Sequence, residues 1–190
     1  MTCISPIWVS KVAQFVPCGR CGFCIKKTID AWCLRLGHEM EYSSSARFIT
    51  LTYNDESLSY DVRTREPVLV KQHLQSFMRS LRKKNPGIRY FAIGEYGTEG
   101  GRPHYHAIVF NLELDFSDDL VTRSWSRGFV SGSPATMGRI RYTVQYMAAP
   151  QLASKASWSR PFQIMSRRPG LGAGYLTRSK KGFTEGGVIR

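Results

Sequence analysis

The chain has 190 residues, enough for one sizeable core, and its apolar fraction of 42% is ordinary for a folded domain. A formal net charge of +13 implies attraction to polyanions. Nucleic acid is favoured over a membrane surface, because no basic segment pairs with a long apolar helix face. No run is long and apolar enough to span a bilayer, and no signal peptide is evident, so a soluble intracellular protein is the expectation.

Residues 1–45 read as a Cys-rich arm followed by a helix. The arm, 1–24, looks irregular. Over 25–41, Ile25, Ile29, Trp32, Leu36 and Met40 make an apolar stripe at helical spacing. A core is expected over 46–150. It opens with Arg47-Phe48-Ile49-Thr50-Leu51-Thr52-Tyr53, a strand pattern, and a polar loop over 54–67 with room for a short hairpin. A second helix is expected over 70–84, with Leu74, Phe77, Met78 and Leu81 on its apolar face. Its basic end complements the helix dipole, and Asn85-Pro86-Gly87 ends it. Strands over 88–94 and 104–112 flank a turn carrying Gly97, Gly100, Gly101 and Pro103. Ser117 can cap a short helix running toward Trp125, with Asp118 and Asp119 in its first turn. A short strand at Gly128-Phe129-Val130 and a helix over 139–149 follow. Residues 151–190 read as a basic extension, packed on the core or trailing from it, with Gly170-Leu171-Gly172-Ala173-Gly174 as a flexible turn. The order suits an α+β fold, an antiparallel sheet with flanking helices close to the ferredoxin-like (RRM-like) arrangement.

Cys18, Cys21 and Cys24 form a tight Cys-x-x-Cys-x-x-Cys run, with Cys3 upstream and Cys33 downstream. An odd count of five with no secretion signal argues against a disulfide framework. The spacing suits a tetrahedral thiolate site for structural Zn²⁺, with Cys3 or Cys33 as fourth ligand. Reduced cysteine in a turn is the plainer alternative.

His104-Tyr105-His106 begins an apolar strand. Alternation sends both imidazoles to one face and Tyr105 to the other. Glu95 ends the preceding strand, so a hairpin can bring it to the same face. Two histidines and a carboxylate suit Mn²⁺ or Mg²⁺ and leave positions open for a substrate oxygen. Strand histidines also serve as polar residues on a solvated face. Tyr142 and Tyr146, four apart on a helix, share a face. Either phenol can attack a phosphodiester, although such spacing more often packs a core.

Together these pieces resemble the HUH endonucleases, and more closely the rolling-circle replication initiators (Rep) of gokushovirus-type microviruses, small single-stranded DNA phages. The resemblance is carried, in order, by Cys18 to Cys24 with Trp32 and Arg35, by Phe48 to Tyr53, by Arg89 to Gly97 with Gly101 to His106, by Tyr142 and Tyr146, and by Met165 to Gly172. It implies a replication initiator that nicks and religates single-stranded DNA at an origin, in the cytoplasm of an infected bacterium. Glu95, His104 and His106 would be metal ligands. Tyr142 would attack first, leaving a 5′-phosphotyrosine and a free 3′-OH, and Tyr146 would act in a later transfer. Host helicase and polymerase are the implied partners, since no nucleotide-binding Gly-rich Lys motif is present. The chain departs from the family at Gln145, where a lysine is common. That puts an auxiliary proton role in doubt, or moves it to another residue such as Lys155. Two other readings stand beside this one. The first is a non-catalytic single-strand-binding module that stacks bases on Phe48, Tyr90 and Phe91. The second is an HUH transposase or relaxase.

Overall fold

The computed structural model describes residues 2–97, 101–112, 119–148 and 160–176. Ser117, Asp118, Lys155 and the basic cluster at 178–181 lie outside the described residues.

The elements in chain order are β1 (Ile7–Val9), β2 (Gln14–Val16), α1 (Gly22–Glu41), β3 (Ala46–Tyr53), α2 (Lys71–Lys84), β4 (Arg89–Tyr96), β5 (Pro103–Phe110), α3 (Asp119–Ser124), β6 (Gly128–Pro134), α4 (Met137–Ala148) and β7 (Phe162–Met165). β1 and β2 form a small hairpin joined through a 3-10 turn. The other five strands make one antiparallel sheet in the order β6-β3-β5-β4-β7. The α+β architecture is the one the sequence predicts.

Alternation along each strand builds two cores, one on each face of the sheet. Ile49, Leu51, Tyr53, Ala92, Tyr105, Ala107 and Val109 point to one side. There they meet Leu74, Phe77, Met78 and Leu81 of α2, together with Val121 and Trp125. Phe48, Phe91, Ile93, Ile108 and Phe110 point to the other side, under Ile29 and Leu36 of α1 and Ile140 and Val144 of α4. Strands covered on both faces read as nearly continuous apolar runs, as β3 and β5 do.

This double covering removes the expected stacking platform. Phe91 is fully buried and Phe48 is only 8% exposed, while the Arg82 guanidinium lies 4.8 Å from the Tyr90 ring centre. The sheet faces are used for packing, and the base-stacking reading loses its surface.

Two segments differ from the sequence expectation. The arm contains the β1–β2 hairpin rather than irregular chain alone. The Gly-rich stretch after β7 is docked, not a free turn. Leu171 is buried, its carbonyl accepts from Arg35 Nε at 3.1 Å, and the Gly172 N–H donates to Glu39 Oε2 at 2.7 Å. The Glu39 carboxylate also pairs with Arg89 on β4, whose Nη2 donates to the Pro169 and Gly170 carbonyls. Gly172 has φ +79°, and a Cβ there would stand 2.8 Å from the Arg35 carbonyl oxygen, so only glycine fits.

Candidate metal centre and tyrosine helix

The β4–β5 hairpin sets Glu95 directly opposite His104 in the ladder and Ile93 opposite His106. Alternation then gives Glu95, His104 and His106 one common face, with Tyr105 turned into the opposite core. Glu95 Oε1 lies 2.9 Å from His104 Nε2 and 3.0 Å from His106 Nε2. One ligand atom from each of the three residues falls within 4.8 Å of the others. The expected set is therefore assembled.

The set is also oriented from behind. His104 Nδ1 lies 3.1 Å from the Arg102 carbonyl oxygen, and His106 Nδ1 lies 3.0 Å from Thr50 Oγ1 on β3. These contacts occupy the distal ring nitrogens and leave both Nε2 atoms facing Glu95, the usual arrangement around a metal-binding histidine. Thr50 is a site residue that sequence reading did not single out. Its signal is register: it stands opposite His106 across β3 and β5.

Electrostatics favour a cation. Burial pushes the Glu95 carboxyl up, but the two imidazoles more than offset this and hold it below the usual carboxylate range. Burial pushes His104 down, and Glu95 together with the Arg102 carbonyl outweighs that and raises it. Two buried atoms of the set, Glu95 Oε2 and His106 Nε2, make no well-formed hydrogen bond, although the latter is within ion-pair distance of Oε1. Buried polar atoms ordinarily find partners, so two orphans converging in a mixed nitrogen and oxygen set fit a divalent ion.

The tyrosines reach the same place from α4. Tyr142 packs edge-on against His106, with ring centres 5.4 Å apart, and against Tyr146 at 4.9 Å. Tyr142 is 41% exposed, whereas Tyr146 packs partly into the core beneath α1 and α4. Burial, the Tyr146 hydroxyl and the Glu95 charge all push the Tyr142 phenol up. Gln145 is exposed. Phe48 stacks on His106 at 5.2 Å, and the Arg139 guanidinium lies 5.1 Å from the Phe48 ring centre. A cation from α4 thus stands beside the site.

Cys3, Cys18, Cys21 and Cys24 are gathered at the other end of α1, with all four sulfurs within 4.8 Å of one another. Cys33 is not among them. It is buried in the core more than two helical turns beyond Cys24.

A family model whose description begins Replication-associated protein ORF2 matches residues 46–151. The chain is similar to Replication-associated protein ORF2 of Spiroplasma virus 4, with 34% identity over 71% of this chain and 48% of that protein. It is similar to Replication-associated protein VP4 of Bdellovibrio phage phiMH2K, with 25% identity over 94% of this chain and 64% of that protein. It is also similar to Replication-associated protein ORF4 of Chlamydia phage 1, with 26% identity over 72% and 39%. The matched stretch spans about half the length of these curated relatives.

Proposed function

Because the chain belongs to the family of replication-associated proteins of the ORF2 type, we propose that it initiates rolling-circle replication of a small phage genome by nicking single-stranded DNA. The observation that carries this reading is the meeting of Tyr142 with the His–Glu set, ring against ring at 5.4 Å from His106. Glu95, His104 and His106 would hold Mn²⁺ or Mg²⁺. A divalent ion there supplies Lewis-acid polarisation of a phosphate oxygen.

The chain's own residues do the rest. Tyr142 presents its phenol oxygen to the phosphorus. A bond forms from that oxygen to phosphorus, and the bond from phosphorus to the 3′ oxygen breaks. The phenol gives up its proton, and the departing 3′ oxygen takes one up. The products are a 5′-phosphotyrosine and a free 3′-OH. No water enters, so the phosphodiester energy is kept and attack by a 3′-OH can reseal the strand. Tyr146, one helical turn along the same face, is placed for a second transfer. Gln145 carries no exchangeable acid proton, so the leaving group is protonated from elsewhere. The net charge of +13 supports the DNA partner, and Arg139 is an arginine at the site's edge that could meet a phosphate.

The test is the mass of a DNA-linked tryptic peptide. Purified protein with Mn²⁺ is incubated with a pool of single-stranded oligonucleotides. The expected adduct carries the 5′ side of the cut on the peptide holding Tyr142. Replacing both Tyr142 and Tyr146 with Phe should remove the adduct and leave DNA binding nearly intact. An adduct that survives the double change overturns the assignment.

A further inference from the structure

The N-terminal hairpin poses a packing problem that the nicking chemistry does not explain. Among residues 2–23 none is buried. β1 and β2 are three residues each, and Trp8 and Phe15, which pack edge to face at 5.1 Å, are 52% and 67% exposed. A two-stranded hairpin this short is marginal in water on its own. With no core of its own, it needs a cross-link to stay in place.

The cysteines stand where a cross-link would act. Cys3 precedes β1 and Cys18 follows β2. Cys21 is the N-cap residue of α1, and Cys24 lies in its first turn. Cys18 Sγ lies 4.0 Å from Cys24 Sγ, and Cys21 Sγ lies 3.9 Å from Cys3 Sγ. A Zn–S bond of about 2.3 Å at the tetrahedral angle gives sulfur–sulfur edges of about 3.8 Å. The observed edges match a tetrahedron around one ion and are far too long for sulfur–sulfur bonds. All five cysteines are free thiols. Backbone N–H groups of Cys18 and Cys21 point at Cys3 Sγ and Cys18 Sγ, at 3.3 and 3.4 Å. Such donors stabilise negative sulfur, and the helix dipole at the start of α1 adds to them.

We propose that Cys3, Cys18, Cys21 and Cys24 bind one Zn²⁺ as a closed four-thiolate centre that fastens the β1–β2 hairpin to the start of α1. The site is separate from the His–Glu set. All four positions are thiolates, so no position is open to substrate, and the role is structural. Soft sulfur selects zinc here, while the nitrogen and oxygen set selects a harder ion at the other site.

The test is elemental analysis of the full chain after gel filtration, read on three proteins. Wild type and the His104→Ala/His106→Ala variant should each retain one zinc per chain. Cys21→Ser/Cys24→Ser should retain none, while still binding added Mn²⁺ by calorimetry. Removing zinc from wild type should speed tryptic cleavage after Lys11 and Arg20 by about tenfold or more, as the hairpin comes loose. If the cysteine variant fails to fold, Co²⁺ added to metal-free wild type should still give the intense absorption of a four-thiolate site. Zinc that disappears with the histidines, iron in place of zinc, or four cysteines found as two disulfides would each overturn the proposal.

Discussion

Glu95 and His104 face each other as direct partners across the β4–β5 ladder, Oε1 to Nε2 at 2.9 Å. Each is therefore fixed by backbone pairing, not by loop conformation. The two side chains satisfy one another, and an added ion must compete with that pairing. At a free Mn²⁺ concentration near 100 times Kd, binding should stabilise the fold by about 2.7 kcal/mol. For a chain of this size that is a rise in Tm of roughly 5–10 °C. Glu95→Gln or His104→Ala should lose most of that rise, with affinity down by roughly 100-fold or more in calorimetry. Equal Mn²⁺ affinity in wild type and variants would count against the centre.

The two tyrosines should separate in single variants. Tyr142 is the more exposed and touches His106, while Tyr146 packs partly into the core. Tyr142→Phe should slow the first cut by roughly 1000-fold or more in single-turnover assays. Tyr146→Phe should leave the first cut within about tenfold and block the later transfer. The reverse pattern would exchange the two roles.

Backbone geometry predicts one severe glycine substitution and one mild one. Gly128 opens β6 at φ +146°, and a Cβ there would stand 2.3 Å from the Thr52 carbonyl oxygen. Gly128→Ala should cost about 2 kcal/mol or more in urea unfolding. Gly138 sits in α4, where a Cβ would meet only Thr136 Oγ1 at 3.7 Å. Gly138→Ala should raise stability by roughly 0.5–1 kcal/mol.

A pH effect is expected away from the metal centre. His73 Nδ1 lies 2.8 Å from the Tyr53 hydroxyl, which is 2.6 Å from the Tyr105 hydroxyl. Burial lowers the His73 pKa, and Arg127 adds to the effect. The unfolded chain then binds a proton at His73 before the folded protein does. Stability at this position is fully present above about pH 6.5 and falls as pH drops from there toward the folded-state value. His73→Gln should flatten that part of the acid limb relative to wild type. Parallel limbs in the two proteins would remove His73 from the account.

The sheet and the site were legible because their signals are local. In β5 the alternation of His104 and His106 with Tyr105 states which side chains share a face, and the Gly-rich turn before it places Glu95 opposite. Leu74, Phe77, Met78 and Leu81 mark α2 in the same way. β7 carries no such signal. It has four residues, and its place depends on pairing Phe91 with Met165, which only β4 determines. The β1–β2 hairpin was hidden for a related reason: with no face buried, its residues have no core to alternate against. The start of α1 at Gly22, ahead of the first stripe residue Ile25, was hidden as well. Its N-cap is Cys21, which makes no side-chain cap bond, so no Ser, Thr, Asp or Asn marks the boundary. Thr50 behind His106 was visible only once β3 and β5 were in register.

The carboxylate of Glu39 joins parts of the chain that sequence similarity keeps apart. The family match runs from 46 to 151, yet α1 lies before it, and β7 and Gly172 lie after it. Arg89, inside the match, is bound to Glu39 from one side and to the carbonyls of Pro169 and Gly170 from the other. A fragment trimmed to the matched stretch would leave that guanidinium without its carboxylate and uncover Phe91 on β4, the strand that carries Glu95 near its end. The metal-binding sheet is braced by sequence on both flanks, and the edge of recognisable similarity is a poor place to cut.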